Sequence, residues 1–178
     1  SRAREFERRL GGESYTAILE EGGGILSTVQ ATRNTSDHVL TSLVRQRLQG
    51  FLQNGVTTVE VKSGYGLSVT DEIRLCRILA EGRWPVHVET TFLGAHALPS
   101  EYRNDREAYV QAVIGEMIPA VAGLANAVDV YCDRGAFTVE ESRRILQAGI
   151  DRGLTGRIHA EQVEWTGAAA MAAEVGCT

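Results

Sequence analysis

The sequence has little lysine, little cysteine and no long apolar run, and each shortage closes off a class of function. Of its 18 basic residues only Lys62 is a lysine. Genome base composition explains an arginine bias without any functional cause, but the bias makes Lys62 worth following. The 18 basic residues face 23 acidic ones, so the chain carries a net charge of −5 and has a pI near 5.4. The positive charges are scattered, apart from Arg8-Arg9 and Arg143-Arg144, which acidic neighbours offset. That leaves no basic footprint for nucleic acid. Cys76, Cys132 and Cys177 are odd in number, far apart and without a Cys-x-x-Cys pair. They exclude a disulfide framework and a cysteine-built zinc centre, and fit a reducing cytosol. No apolar stretch approaches the ~20 residues that span a bilayer. Ser1-Arg2-Ala3-Arg4 does not open a signal peptide. The expectation is a cytoplasmic protein with a small-molecule partner and neither nucleic acid nor membrane. The chain does not begin with Met and stops at Gly176-Cys177-Thr178, where a strand is about to start, so both ends read as cut.

What is present is a repeated unit. From Val56 onward, a short β-branched run is followed each time by an amphipathic helix. Val56–Lys62 predicts a strand, Ser63-Gly64-Tyr65-Gly66 a loop, and Thr70 onward a helix with Ile73, Cys76, Leu79 and Ala80 inside and Gly82 at its end. Asp71 and Glu72 suit the first turn, where a helix carries partial positive charge. Val86–Gly94 predicts the second strand; its helix runs from about Asn104 to Ala122, with Tyr109, Ala112, Val113, Met117 and Val121 on one side. Pro119 lies inside it and predicts a kink or restart. Ala127–Cys132 is the third strand, and Thr138-Val139-Glu140-Glu141 has the form of a capping box. Thr155–Ala160 is the fourth, followed by an Ala-rich helix around Thr166 to Val175. Before Val56, residues 2–21 read as a charged helix broken by Gly22-Gly23-Gly24, and Ile25–Arg33 as extended. Ser36-Asp37 then caps an amphipathic helix closed by Asn54-Gly55.

Strand starts near 56, 86, 127 and 155 recur roughly every 30 residues, the spacing of parallel βαβ units. Such units either close into an eight-stranded barrel or form an open doubly wound sheet. The first loop lacks the Gly-x-Gly-x-x-Gly of a dinucleotide-binding sheet, because Thr70 stands where the third glycine belongs. The expected fold is therefore α/β, a partial TIM-type (β/α)8 barrel of about four consecutive βα units. Residues 1–55 form a helical excursion before them, and residues 56–178 carry the units as a single truncated domain.

Barrels of this kind place their chemistry at the carboxyl ends of the strands. Those ends are Lys62-Ser63-Gly64-Tyr65, Gly94-Ala95-His96, Cys132-Asp133-Arg134 and His159-Ala160-Glu161-Gln162. His159 is a candidate imidazole ligand for a zinc- or iron-type ion; read alone, it is a hydrogen-bonded strand histidine before it is a ligand. Glu161 and Gln162 offer a group behind the metal and a group for a ligand, or simply a solvated loop. Tyr65 sits between two glycines that let its phenol protrude, either to donate to a carbonyl or carboxylate or to pack in a turn. Lys62 reads as a salt-bridged strand lysine before it reads as a carboxylate anchor or a carbamylated metal bridge. His38 falls in a helix's first turn and His87 at the start of a strand, away from the rim. Cys132 lies near the rim but has no histidine close in sequence, and so reads as a buried thiol. Gly22-Gly23-Gly24 is a weak phosphate cradle, with no Gly-Lys-Ser/Thr behind it.

Taken together, several motifs resemble the imidazolonepropionases, metal-dependent amidohydrolases of histidine degradation. They are Glu13-Ser14-Tyr15, Gly22-Gly23-Gly24-Ile25 with Thr28–Arg33, the run Gly55–Gly66, Phe92–Ala97 and His159-Ala160-Glu161-Gln162. The resemblance runs in order over nearly the whole chain, and Lys-Ser-Gly-Tyr-Gly with Leu-Gly-Ala-His is its most specific pair. It implies hydrolysis of the cyclic amide of 4-imidazolone-5-propanoate to N-formimidoyl-L-glutamate by a metal-activated water. The cofactor implied is one divalent or trivalent ion, zinc or iron. By the same carry-over the four units are strands two to five, and His159 is the metal ligand. Tyr65, His96 and Gln162 hold the substrate, with His96 the catalytic group that polarises its carbonyl. The single-metal site follows because Lys62 lies on strand two, not the strand that carries a carbamylated lysine in two-metal relatives. The family's His-x-His pair, an arginine after it, a further histidine and an aspartate have no counterpart in these residues, so the chain alone is expected to be inactive. A homodimer is the family's expected assembly. Two other readings compete: an amidohydrolase-superfamily cyclic-amide hydrolase or deaminase with another substrate, and a non-catalytic α/β binding module in which these residues are structural.

Overall fold

The computed structural model describes residues 2–14 and 24–178. Tyr15, Gly22, Gly23 and the expected helix beyond residue 14 lie outside the described residues. Helix α1 (Ala3–Leu10) ends at a Gly11-Gly12 turn, where Arg8 pairs with Glu13. Among the described residues, α2 (Ile25–Arg33) and α3 (Asp37–Gln53) also precede the sheet. The hydroxyl of Ser36 caps α3 by accepting from the N–H of Val39. The extended reading of Ile25–Arg33 is corrected: the segment is helical. Its β-branched residues suggested a strand, but burial of Val29 and the Glu5 carboxylate decide otherwise. Glu5 accepts from the Gly24 N–H and the Ser27 hydroxyl at the helix start. Packing and capping outweigh intrinsic propensity here.

The repeat from residue 56 is realised as β1 (Thr58–Lys62), α4 (Val69–Glu81), β2 (His87–Ala95), α5 (Arg106–Ala112), α6 (Ile118–Val121), β3 (Ala127–Cys132), α7 (Val139–Ile150), β4 (Thr155–Ala160) and α8 (Ala168–Glu174). A π-helical turn, Val113–Met117, joins α5 to α6. The widened turn ends two residues before Pro119, whose ring would crowd the carbonyl four residues back and which has no N–H to give it. The Thr138 capping box forms on both sides: its hydroxyl accepts from the Glu141 N–H, and the Glu141 carboxylate accepts from the Thr138 N–H. All four strands are parallel and pair in chain order, giving a curled half-barrel with helices between strands. Among the described residues no helix is long and apolar enough to cross a membrane.

The two faces of the sheet differ in chemistry because side chains alternate along a strand. Phe92, Val128, Val130 and Ile158 turn outward and pack with Tyr109, Met117, Ile145 and Leu146 of the helices. Glu60, Lys62, Thr91, Asp129, Arg157 and His159 turn to the concave face and bond to one another. One irregularity breaks the alternation. Phe92 pairs with Val128 and Ala95 with Val130, so β2 has one residue more than β3 in that interval, a bulge. Ala95 consequently joins the outer core with no exposed surface, and the next residue, His96, turns to the concave side.

Helix α7 lies against the sheet at Gly149, beside Val128. A Cβ there would lie 2.4 Å from Cγ1 and 2.9 Å from Cβ of Val128. Gly149→Ala is therefore expected to destabilise the fold by up to about 2 kcal/mol. Overpacking of about 1–3 kcal/mol opposes the gain of about 1 kcal/mol that alanine brings to a helix. Equilibrium urea unfolding reads the sign, and a stabilised variant would contradict the close contact.

Candidate functional site at the carboxyl rim

The strand ends build one concavity of about 600 Å³, lined by Tyr65, His96, Tyr131, Arg134, His159 and Gln162 among others. Four residues singled out in the sequence, Tyr65, His96, His159 and Gln162, thus share one rim. Tyr65 and His96 meet edge to face at 5.1 Å between ring centroids. Tyr131 stands between the imidazoles, 6.3 Å from His96 and 6.2 Å from His159. Gln162 is exposed on the loop after β4. His38 and His87 lie away from this rim; His87 opens β2 and contacts Glu89 instead.

Each imidazole has one nitrogen committed. His96 Nδ1 lies 2.9 Å from the Gly64 carbonyl, which can only accept, so Nδ1 carries the proton and Nε2 is left with its lone pair. Burial lowers the pKa of His96, an effect its bond to Gly64 only partly offsets and to which nearby His159 adds. The ring is neutral near pH 7. His159 Nδ1 lies 3.0 Å from Oδ2 of Asp129, a carboxylate only 1% exposed. That carboxylate sets the tautomer and orientation of the ring and leaves Nε2 of His159 as its donor atom. A carboxylate behind an imidazole is the usual support of a metal-ligating histidine.

Asp129 is itself held by Lys62, whose Nζ lies 2.9 Å from Oδ2 and 2.6 Å from Oε1 of Glu60. Lys62 is thus a salt-bridged strand lysine, its charge balanced between two carboxylates. Glu60 also accepts from Thr91 Oγ1 at 2.6 Å and from Arg157. Burial favours the neutral acid at Glu60, but the bonds from Lys62, Thr91 and Arg157 outweigh it and hold the pKa at about 2. All four strands are cross-linked through this polar layer beneath the rim.

Loops around the rim are pinned by carboxylates. Asp133, nearly buried after β3, accepts from the backbone N–H groups of Arg134 at 2.7 Å and Val163 at 2.7 Å, tying the β3 and β4 loops together. Glu161, at φ 56°, accepts from the Gly167 N–H just before α8, so it shapes the loop behind Gln162. Burial raises the pKa of the Cys132 thiol, which is 1% exposed, and so keeps it from acting as a nucleophile. Asp129 and Glu72 were not singled out by sequence reasoning. A charged residue between Val128 and Val130 in an otherwise apolar strand was the available signal for Asp129; Glu72 had none beyond a favourable helix position.

As a metal site this donor set fits one corner: an imidazole backed by a buried carboxylate. Among the described residues no three His, Cys, Asp or Glu side chains come together to hold an ion.

A curled parallel sheet with imidazoles and a phenol converging on its carboxyl rim defines a (β/α)-type enzyme segment, since such folds put their chemistry at that rim. The chain is 51% identical over 180 residues to imidazolonepropionases of Shewanella halifaxensis and Shewanella woodyi, and 49% identical to that of Geobacillus kaustophilus. Over the matched region its sequence is thus similar to the imidazolonepropionases. The matches cover 99% of the chain but 44% of the Shewanella proteins and 42% of the Geobacillus protein, so the chain spans less than half the length of these relatives. No family model matches it.

Proposed function

We propose that the chain is part of an imidazolonepropionase, hydrolysing the cyclic amide of 4-imidazolone-5-propanoate to N-formimidoyl-L-glutamate. The observation that carries this is the convergence of Tyr65, His96, His159 and Gln162 on one rim in a chain half identical to enzymes of that name. In this reading the four strands are strands two to five of an eight-stranded barrel in a cytoplasmic, homodimeric enzyme. Residues 1–55 are an excursion after strand one, and 56–178 the barrel units.

His159 Nε2 would be one ligand of a single zinc or iron ion, both of which suit imidazole and carboxylate donors. Such an ion supplies Lewis acidity at the carbonyl and a water acidified enough to attack it. Asp129 holds His159 in the ligating tautomer. Tyr65 donates its phenolic hydrogen to a carbonyl or carboxylate of the substrate, and Gln162 hydrogen-bonds the ring. His96 acts differently from the first expectation. Neutral and with Nδ1–H given to Gly64, it offers Nε2 as an acceptor for a ring N–H rather than a donor that polarises the carbonyl. Hydrolysis adds water across the ring amide, with the C–N bond breaking and the freed nitrogen taking a proton.

Turnover of 4-imidazolone-5-propanoate by the full-length protein, lost on chelation and restored by zinc or iron, is the test. Residues 1–178 alone are expected neither to retain stoichiometric metal nor to turn over substrate. Inactive full-length protein would overturn the substrate, and metal with activity in the 178-residue chain would overturn the incomplete ligand set.

A further inference from the structure

The loop between β1 and α4, residues 63–67, has almost no conformational preference of its own to hold it. Gly64 has φ 92°, and Leu67, a non-glycine residue, has φ 49° while buried to 1% exposure. Both are left-handed conformations, and Leu67 adopts its own at a cost in backbone strain. A Cβ on Gly64 would sit 2.9 Å from the Leu93 carbonyl oxygen, and one on Gly66 2.8 Å from Asp71. The loop is thus wedged between β2 and the start of α4. Its backbone groups are captured by charged side chains from outside it. Arg33 donates from Nε to the Gly66 carbonyl at 2.6 Å and from a terminal nitrogen to that of Leu67 at 3.0 Å.

The N–H groups have one acceptor in common. Glu72 takes them on both carboxylate oxygens: Gly64 at 3.0 and 3.1 Å, Gly66 at 2.7 Å and Leu67 at 2.9 Å. Its side chain has no exposed surface, and among the described residues it forms no salt bridge with a basic side chain. A buried carboxylate is costly unless its oxygens are saturated with donors, and here the loop's own backbone saturates them. Gly64, gripped at its N–H by Glu72, offers its carbonyl to His96 Nδ1, and Tyr65 between the gripped residues leans edge-on against the His96 ring. One carboxylate therefore governs the positions of two residues on the rim.

We propose that Glu72 is a positioning residue of the rim: by gathering the N–H groups of Gly64, Gly66 and Leu67 it sets where Tyr65 stands and which nitrogen of His96 carries the proton. This rests on the proposed function only for what the two side chains then do to substrate; the positioning itself is independent of it. Among the described residues the hydrogen bonds of Glu72 go to the backbone of the loop and not to the side chains of Tyr65 or His96, so its hold on them runs through the loop.

The test reads the imidazole nitrogens and backbone amides of the full chain by NMR. In the wild type His96 is expected to be a single Nδ1–H tautomer, and the amides of Gly64, Gly66 and Leu67 to exchange with solvent slowly although they lie in a loop. Fast exchange at these three amides in the wild type overturns the proposal without any variant. Glu72→Gln places amide hydrogens where the loop needs acceptors. Protection at the three amides is expected to fall roughly tenfold or more, as loss of a charge-assisted hydrogen bond implies. His96 is expected to become a mixture of tautomers, while His159, oriented by Asp129, keeps its own. Unchanged His96 and unchanged amide protection in folded Glu72→Gln would also overturn it. Glu72→Asp, which keeps the charge but withdraws it by one methylene, is read in the same way if the glutamine variant does not fold, and the wild-type exchange rates decide if neither does. Because no readout involves turnover, the result stands apart from whether imidazolone propionate is the substrate.

Discussion

Replacing His159 with alanine in the full-length protein is expected to strip the metal and reduce turnover by about four orders of magnitude, the scale on which removing a central catalytic group acts. Stability should barely change. The side chain is 39% exposed at the mouth of the concavity, and among the described residues it hydrogen-bonds to Asp129, which retains Lys62. That separation makes the test clean: metal content by mass spectrometry and turnover collapse together while the unfolding midpoint stays close to the wild-type value. Retained stoichiometric metal with near-normal turnover would sink the assignment of His159 as a ligand and leave it as a strand histidine.

Asp129→Ala is expected to cost stability and function at once. Asp129 is almost fully buried and receives both Lys62 and His159. Removing one partner of a buried ion pair costs about 3–5 kcal/mol, but Lys62 keeps Glu60 and is 27% exposed, so about 2 kcal/mol is the better expectation here. His159 also loses the acceptor that fixes its tautomer, and metal affinity should fall about 10- to 100-fold. Urea unfolding together with competitive metal titration measures the two effects. Asp129→Asn preserves an acceptor for His159 Nδ1–H and should recover part of the metal affinity without restoring the ion pair. If Asp129→Ala bound metal as tightly as the wild type, the carboxylate would be structural only.

The repeat of strand and helix was readable because its signals are local. The Thr138 capping box, the Ser36 cap, the disruption near Pro119 and the inward residues of the helices all depend on neighbours within a turn or two. The rim residues Tyr65, His96, His159 and Gln162 were readable once strand ends were known, because a parallel sheet collects its strand ends on one side. Ile25–Arg33 was misread because β-branched residues there are overruled by contacts from Glu5, some twenty positions earlier. Asp129 and Glu72 escaped for the same kind of reason. The partners of Asp129 lie 67 and 30 residues away, and Glu72 folds back onto a loop that its helical position does not reveal. Nor did spacing alone show that Nδ1 of His96 is committed, which turns an expected donor into an acceptor.

The extra residue in β2 has a consequence for how this surface tolerates change. A strand deals its side chains alternately to two sides, like a two-beat measure, and the added beat between Phe92 and Ala95 puts His96 on the side of Tyr65 and Tyr131. Losing or gaining one residue in that stretch would leave every side chain chemically intact yet deal the imidazole to the oily layer under the helices. Along Phe92–His96 the count of residues is as much a part of the chemistry as their identity.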